Sequence, residues 1–129
     1  KKLAGQKLMP KIDIDLELKD EDINWDLMIE IKSMEPFGEG NMEPVFLAKD
    51  LVVDDIKIVG NGNKHLKLKL RSDEGGPKIF EAIGFGLGEK FSDLKSGDSV
   101  DIVFNLQEDE WNGNKKMQLK LIDLKKAEK

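Results

Sequence analysis

The amino-acid sequence predicts a mainly β fold, a small barrel of five strands preceded by a short strand and helix. Apolar and polar residues alternate in five separate segments after residue 44, and a period of two is typical of half-buried strands. Clusters of glycine, asparagine, aspartate and proline separate these segments, as turns do. Only two short segments fit a helix, residues 24–34 and residues 88–94.

The spacing of the apolar residues changes twice within residues 12–44. Residues 12–18 alternate isoleucine and leucine with acidic residues, which predicts a short strand. Residues 24–34 carry apolar side chains at helical spacing, and Asn24 is placed to cap that helix. Residues 35–44 hold two prolines and two glycines, which favour neither helix nor strand. They predict a loop between this front segment and the rest of the chain.

The five barrel strands follow that loop. Their predicted extents are residues 45–59, 64–71, 78–85, 100–106 and 117–121. The Asn112-Gly113 pair predicts a tight type I′ hairpin between the last two. The first strand is long and curved, and a short helix, residues 88–94, is predicted between the third and fourth strands. This element order is that of the OB-fold, a Greek-key barrel.

We therefore divide the chain into three parts. They are a strand-helix appendage with its linker loop, an OB-fold barrel and a frayed tail: residues 1–44, 45–124 and 125–129. A length of 129 residues suits one domain. Because the chain does not begin with Met, we expect it to be a piece of a longer protein.

Composition excludes several classes of function. The chain has no cysteine and one histidine, which excludes disulfides and thiolate zinc sites and argues against a His-rich metal centre or a standard catalytic triad. It has no run of the roughly 18–20 apolar residues that a membrane span needs and no signal-peptide core. We expect a cytoplasmic protein with no membrane partner.

Charge is distributed unevenly along the chain. The net charge of −5 argues against a generally basic nucleic-acid clamp. Residues 1–60 hold eight Lys/Arg against fourteen Asp/Glu, whereas residues 61–129 hold thirteen against twelve. The second half also contains a cluster of cations with no acid between them, Lys64, Lys67, Lys69 and Arg71. Charges beyond about 8 Å are largely screened at physiological salt, so a local basic patch is compatible with the acidic average.

Several separated motifs occur in the same order along the chain as the motifs of one protein family, which they resemble. They are MEPFGEGNMEPVF at 34–46, KHLKL at 64–68, EAIGFGLG at 81–88, GDSVDIVFNL at 97–106 and EWNGNKKMQLKLIDL at 110–124. Together they resemble the C-terminal OB domain of RecJ-type single-stranded-DNA-specific exonucleases, over about residues 12–124. One departure is Met42, because the family usually has Gly-Asn-Pro at this point.

The resemblance implies a domain that holds single-stranded DNA for a 5′-to-3′ exonuclease of recombination and repair. In that family a DHH phosphoesterase core binds manganese or magnesium through Asp and His. This chain has none of those motifs, so it is expected to be no enzyme by itself and to need no cofactor. The expected partners are single-stranded DNA, the catalytic domains of the full-length protein and further repair proteins.

The second barrel strand carries the main candidate site. Its leucines, Leu66, Leu68 and Leu70, face one side. The opposite side carries His65, Lys67, Lys69 and Arg71, and Lys64 stands at the start of the strand. These five residues are the candidates for binding nucleic acid. Cations spaced two apart rise about 6.6–6.8 Å along a strand, on the scale of successive phosphates, and this face of an OB-fold binds oligonucleotides. The alternative is a solubilising face.

The last hairpin carries a second candidate site. Trp111 lies beside its tip, where an aromatic ring can stack on a base. Three lysines follow it and are candidates for binding the backbone, Lys115, Lys116 and Lys120. Alternatively, the Trp111 ring folds over the barrel end or packs on another domain. Trp25, in the front helix, is predicted to serve core or interdomain packing.

Other motifs favour structural roles. The Gly84-x-Gly86-x-Gly88 run lacks the following residues of a phosphate-binding loop and predicts a tight turn. Residues 37–41 predict a hinge rather than an anion site, and the acids at 108–110 and 54–55 predict a solvated face. The alternative function is a protein-docking module, which the acidic net charge favours.

Overall fold

A computed structural model of the chain describes residues 13–62, 64–75 and 78–127. It begins with a two-residue strand, β1 (Leu16–Glu17), a 3-10 turn (Asp20–Asp22) and one helix, α1 (Trp25–Ser33). Five long strands follow: β2 (Phe46–Val59), β3 (His65–Ser72), β4 (Ile79–Gly84), β5 (Ser99–Trp111) and β6 (Asn114–Lys126).

The five long strands close into a barrel. Their order is β2-β3-β4-β6-β5, and β5 pairs again with β2. All of these pairings are antiparallel except the one between β4 and β6, which is parallel. Closure removes the unpaired edges that an open sheet would expose. The mainly β, five-stranded OB-fold predicted from the sequence is confirmed.

Inward leucines and aromatic residues fill the barrel. On β3, Leu66, Leu68 and Leu70 are at most 3% exposed, because alternate side chains of a strand point to the same face. They share one core cluster with Phe104 of β5, whose ring lies 5.8 Å from the ring of Phe46. The alternation that predicted these strands therefore specifies the inside of the barrel.

A bulge allows β2 to pair with two neighbours. Its first half pairs with β5 and its second half with β3, and the β5 register shifts between Ala48 and Leu51. Asp50 lies in this bulge with a φ of 58°, a conformation that aspartate tolerates better than most residues. The buried carboxylate of Asp101 accepts a hydrogen bond from the Asp50 N–H at 3.0 Å. The bulge is thus a fixed part of barrel closure.

The front segment packs on the barrel. Asn24 caps α1 as predicted, because its side-chain oxygen accepts a hydrogen bond from the Leu27 N–H at 2.9 Å. Ile23, Met28 and Ile31 are buried in the same cluster as the barrel core. The loop after α1 is fastened to β5 by Asn105, whose amide donates to the Pro44 carbonyl at 2.8 Å.

Three local predictions differ from the structure. Residues 88–93 form consecutive turns where a helix over 88–94 was predicted, since nucleating so short a helix is costly, and Leu94 after them is buried. The front strand is reduced to Leu16–Glu17, which pairs in parallel with β2. The prediction of a frayed tail is wrong for Lys125 and Lys126, because both residues pair with β5. Residues 128–129 lie outside the described part.

Truncation of Phe104 is expected to destabilise the barrel strongly. Phe104 is 0% exposed, and removing a buried phenylalanine ring costs about 3–5 kcal/mol through lost burial and the cavity that remains. Urea unfolding followed by circular dichroism measures the loss for Phe104→Ala. Phe85→Ala is the matched control, because Phe85 is 57% exposed. Equal losses for the two variants would contradict this core assignment.

Candidate nucleic-acid interface

Two lysines face each other across β2 and β3. The strand register places Lys57 directly opposite Lys67, and Lys67 opposite Ile83 of β4. Ile83 in turn lies opposite Lys120 of β6. Within the described ranges none of these three lysines makes an ion pair. This row of the outer face, which we call the lysine band, therefore has an uncompensated positive charge.

The next row of the same face is balanced in charge. Lys69 lies opposite Asp55 on one side and Glu81 on the other. Lys116 Nζ lies 3.2 Å from a Glu81 carboxylate oxygen. One residue pair further along β3, Arg71 Nε lies 3.4 Å from a carboxylate oxygen of Asp54. Lys116 and Arg71 thus form ion pairs that Lys67 lacks, and Lys69 has two acids as its cross-strand neighbours.

A shallow groove of about 230 Å³ crosses both rows. Its walls come from β2, β3, β4 and β6, and its charged lining residues are Asp55, Lys57, Lys67, Lys69, Glu81 and Lys116. Four lysines face two acids in this lining. The groove can hold an extended polyanion, whose phosphates would lie nearest to the lysine band.

His65 has a positioning role at the start of β3. Its Nδ1 accepts a hydrogen bond from the Gly86 N–H at 3.1 Å, and its ring meets the ring of Phe85 edge-on at 5.4 Å. The carbonyl of Lys64 also accepts a hydrogen bond from the Gly88 N–H at 2.8 Å. These contacts hold Phe85, which is 57% exposed, beside the lysine band.

The glycine run after β4 is a tight turn, as predicted. Gly86 has a φ of 77°, a left-handed conformation that favours glycine. The N–H groups of Gly86 and Gly88 bind His65 and Lys64, and the Leu87 N–H donates to the Gly84 carbonyl. Because protein acceptors occupy all three N–H groups, the turn presents no phosphate cradle.

The last hairpin has the predicted type I′ geometry. Asn112 and Gly113 have φ values of 53° and 78°, and Trp111 pairs with Asn114 around them. The side chain of Trp111 lies outside the described part, so its stacking role stays a prediction. Lys115 lies 3.5 Å from Glu108, another local ion pair.

Six of the predicted binding residues share one connected surface. β3 places His65, Lys67, Lys69 and Arg71 on its outer side, as the alternation predicts. β6 adds Lys116 and Lys120 next to them. The sequence analysis missed Lys57 and Phe85. The Ile56-Lys57-Ile58 alternation was a signal for Lys57, and the inward positions of Phe80 and Ala82 on β4 were a signal that Phe85 points outward.

No cluster of three histidine or acidic side chains in the described ranges is arranged to hold a metal ion. Within the same ranges no helix is both long and apolar enough to cross a membrane.

Comparison with known proteins identifies the domain. The family model of the RecJ OB domain matches residues 14–123. The chain belongs to this family. This RecJ OB domain is 29% identical over 121 residues to the single-stranded-DNA-specific exonuclease RecJ of Bacillus subtilis, covering 94% of the chain and 15% of that protein. It is 31% identical to the RecJ of Thermus thermophilus over 99 residues, or 77% of the chain and 13% of that protein.

Solved structures agree with the family assignment. The RecJ OB domain superposes on the crystal structure of RecJ in complex with Mn²⁺ from Thermus thermophilus with a TM-score of 0.67 and 25% identity, covering 92% of the chain and 16% of that protein. The second single-stranded-DNA-binding protein of Mycobacterium smegmatis superposes with a TM-score of 0.50 at 18% identity, over 64% of the chain and 84% of that protein. The second likeness concerns the fold alone.

One ion-pair cluster connects α1 to the barrel away from the lysine band. Lys32 of α1 donates a hydrogen bond to the Glu108 carboxylate of β5, which also faces Lys115. The hydrogen bond from Lys32 lowers the pKa of Glu108 and, reciprocally, raises the pKa of Lys32. A lowered carboxylate pKa stabilises the folded state above the unfolded pKa, and this stabilisation is lost as pH falls through the folded value.

Glu108→Gln is expected to reduce the acid sensitivity of the fold. At about pH 7 the variant should melt at a lower temperature than the parent, and the difference should shrink as pH falls below about 4.5, the ordinary Glu value. Thermal melts across this range measure both effects. Asp109→Asn is the matched control, since Asp109 forms no ion pair with a described residue. A difference independent of pH would contradict the role given to Glu108.

Proposed function

We propose that this RecJ OB domain binds single-stranded DNA along the outer face of β2, β3 and β4, without base specificity. The DNA is held near a nuclease centre that residues outside this chain provide, where the divalent metal also binds. The observation that carries the proposal is the Lys57–Lys67 pair at the centre of the lysine band.

Like charges directly opposite each other on neighbouring strands destabilise a sheet. In the described ranges no carboxylate offsets the Lys57–Lys67 repulsion by an ion pair, although acids lie on the same face one row away. A phosphate backbone laid along the groove offsets this repulsion and releases condensed counterions. The arrangement therefore favours a polyanionic ligand over a neutral surface.

Family membership supports the same ligand. The relatives are named as single-stranded-DNA-specific exonucleases, and the chain spans between 13% and 20% of their length. The hydrolysis itself is therefore assigned to the larger protein. The contribution of this domain is to hold the strand.

Phe85 supplies the apolar part of the proposed site. It is more than half exposed, and its ring rests against His65 at the end of the lysine band. A base can stack on such a ring whatever its identity, since every base has an aromatic face. Stacking on Phe85 and ionic contacts at Lys67 together give affinity without sequence readout.

Removing the Lys67 side chain should lower the affinity for DNA and make that affinity less sensitive to salt concentration. For single strands log K falls with log salt at a slope of about −0.7 per neutralised phosphate. Lys67→Ala should therefore make the slope shallower by about 0.7, measured by fluorescence anisotropy of labelled oligo-dT at several salt concentrations. Lys69→Ala should have a smaller effect, because Lys69 lies between Asp55 and Glu81.

Lys49→Ala is the control for net charge. Lys49 is exposed on β2 but lies in a different groove, with Glu17 and Asp50. Its loss should leave the slope unchanged. A failure of oligo-dT to bind the unmodified domain would reject the proposal and favour a protein-docking module. Equal slopes for Lys67→Ala and Lys49→Ala would reject the lysine band as the site.

Phe85→Ala should weaken binding by a different route. Loss of one stacked base costs about 1–3 kcal/mol, while the number of neutralised phosphates is unchanged. The affinity for oligo-dT should fall with the salt slope preserved. Phe85→Trp should retain the affinity, because it keeps an aromatic face. Unchanged affinity in Phe85→Ala would exclude stacking on this ring.

A further inference from the structure

Trp25 is an exposed aromatic residue at the start of α1. The sequence analysis predicted core or interdomain packing for it; its exposure of 42% contradicts packing in the core, since Met28 and Ile31 bury the other side of the helix. Trp25 lines a groove of about 260 Å³ together with Ile79, which is 44% exposed. Two large apolar side chains are therefore open to solvent next to each other.

Lysines surround this groove, which we call the Trp25 groove. Its charged lining residues are Lys78, Lys115 and Lys116 against the single acid Glu81. An aromatic platform among cations complements a nucleic-acid strand, with its stacking bases and its phosphates.

Contacts immediately before Trp25 fix the start of α1. Lys78 Nζ donates a hydrogen bond to the Ile23 carbonyl, two residues before Trp25, and lies 5.2 Å from the centre of the Phe80 ring. Asn24 caps the helix immediately before Trp25. The groove is therefore built before any ligand arrives, which lowers the entropic cost of binding.

The Trp25 groove continues the groove of the lysine band. Glu81 and Lys116 line both of them. Ile79 in the Trp25 groove begins β4, and Phe85 beside the lysine band follows its last residue, so the two are separated by the length of that strand, about 17 Å at 3.3 Å per residue. One strand of several nucleotides can cover this distance.

We propose that the Trp25 groove is a second subsite for the same single-stranded DNA. A base stacks on the indole of Trp25, and the neighbouring phosphates compete with the carboxylates of Glu81 and Glu108 for Lys116 and Lys115. The front segment is then part of the DNA site as well as a support for the barrel. This inference rests on the proposed function.

The test uses the two tryptophans of the chain separately. In a Trp111→Phe background Trp25 is the remaining tryptophan, and oligo-dT of about 12 nucleotides, within the usual range per OB-fold, should quench its fluorescence. In the parent background Trp25→Leu should weaken binding of this oligonucleotide in anisotropy by about fivefold or more, with the salt slope retained. Trp25→Phe should restore most of the affinity.

Ile29→Ala is the matched control. Ile29 lies one turn further along α1, is 64% exposed and does not line the Trp25 groove, so its loss should leave affinity unchanged. Bound oligonucleotide with an unquenched Trp25 and an unaffected Trp25→Leu variant would overturn the subsite while the proposed function stands. No binding to any variant would overturn both. Melting temperatures check that each variant is folded.

Discussion

Closure of the barrel through β2 is the constraint on which the rest of the structure depends. This strand pairs with β5 along its first half and with β3 along its second half. It can change partners because the chain bulges at Asp50, where the buried Asp101 carboxylate binds the displaced N–H. Once β2 is shared in this way, every register around the barrel is fixed, because a shift of one residue would turn the inward leucines outward.

The fixed registers also determine the chemistry of the outer face. They place Lys57 opposite Lys67 and leave Lys69 between two acids. An acidic protein thereby acquires a local basic row, since ion pairs neutralise Arg71 and Lys116 further along the same face and more distant charges are screened. The exposed aromatic residues Phe85 and Trp25 lie near the two ends of this face, Phe85 against the ring of His65 and Trp25 directly after the cap of α1.

The front segment belongs to the same structural unit as the barrel surface that it borders. Its Ile23, Met28 and Ile31 are buried in the barrel core cluster, and its Lys32 is paired with Glu108 of β5. The boundary that we placed after residue 44 stays a prediction about the chain. These contacts bring the acidic front segment beside the lysine band. The front segment does not cover the groove that crosses this band, because the groove lining includes no residue before Asp55.

The sequence by itself determined the strands, the Asn24 cap, the Asn112-Gly113 hairpin and the outward placement of Lys67 and Lys69, because alternation and turn chemistry are local properties. It gave the wrong answer for residues 88–93, which form consecutive turns because nucleating so short a helix is costly. Tertiary structure alone decided which cations keep their charge uncompensated, because ion pairs such as Arg71–Asp54 depend on cross-strand register. It also brought Trp25 and Lys116 to one groove, although they are far apart in the chain, because α1 docks against the closed barrel.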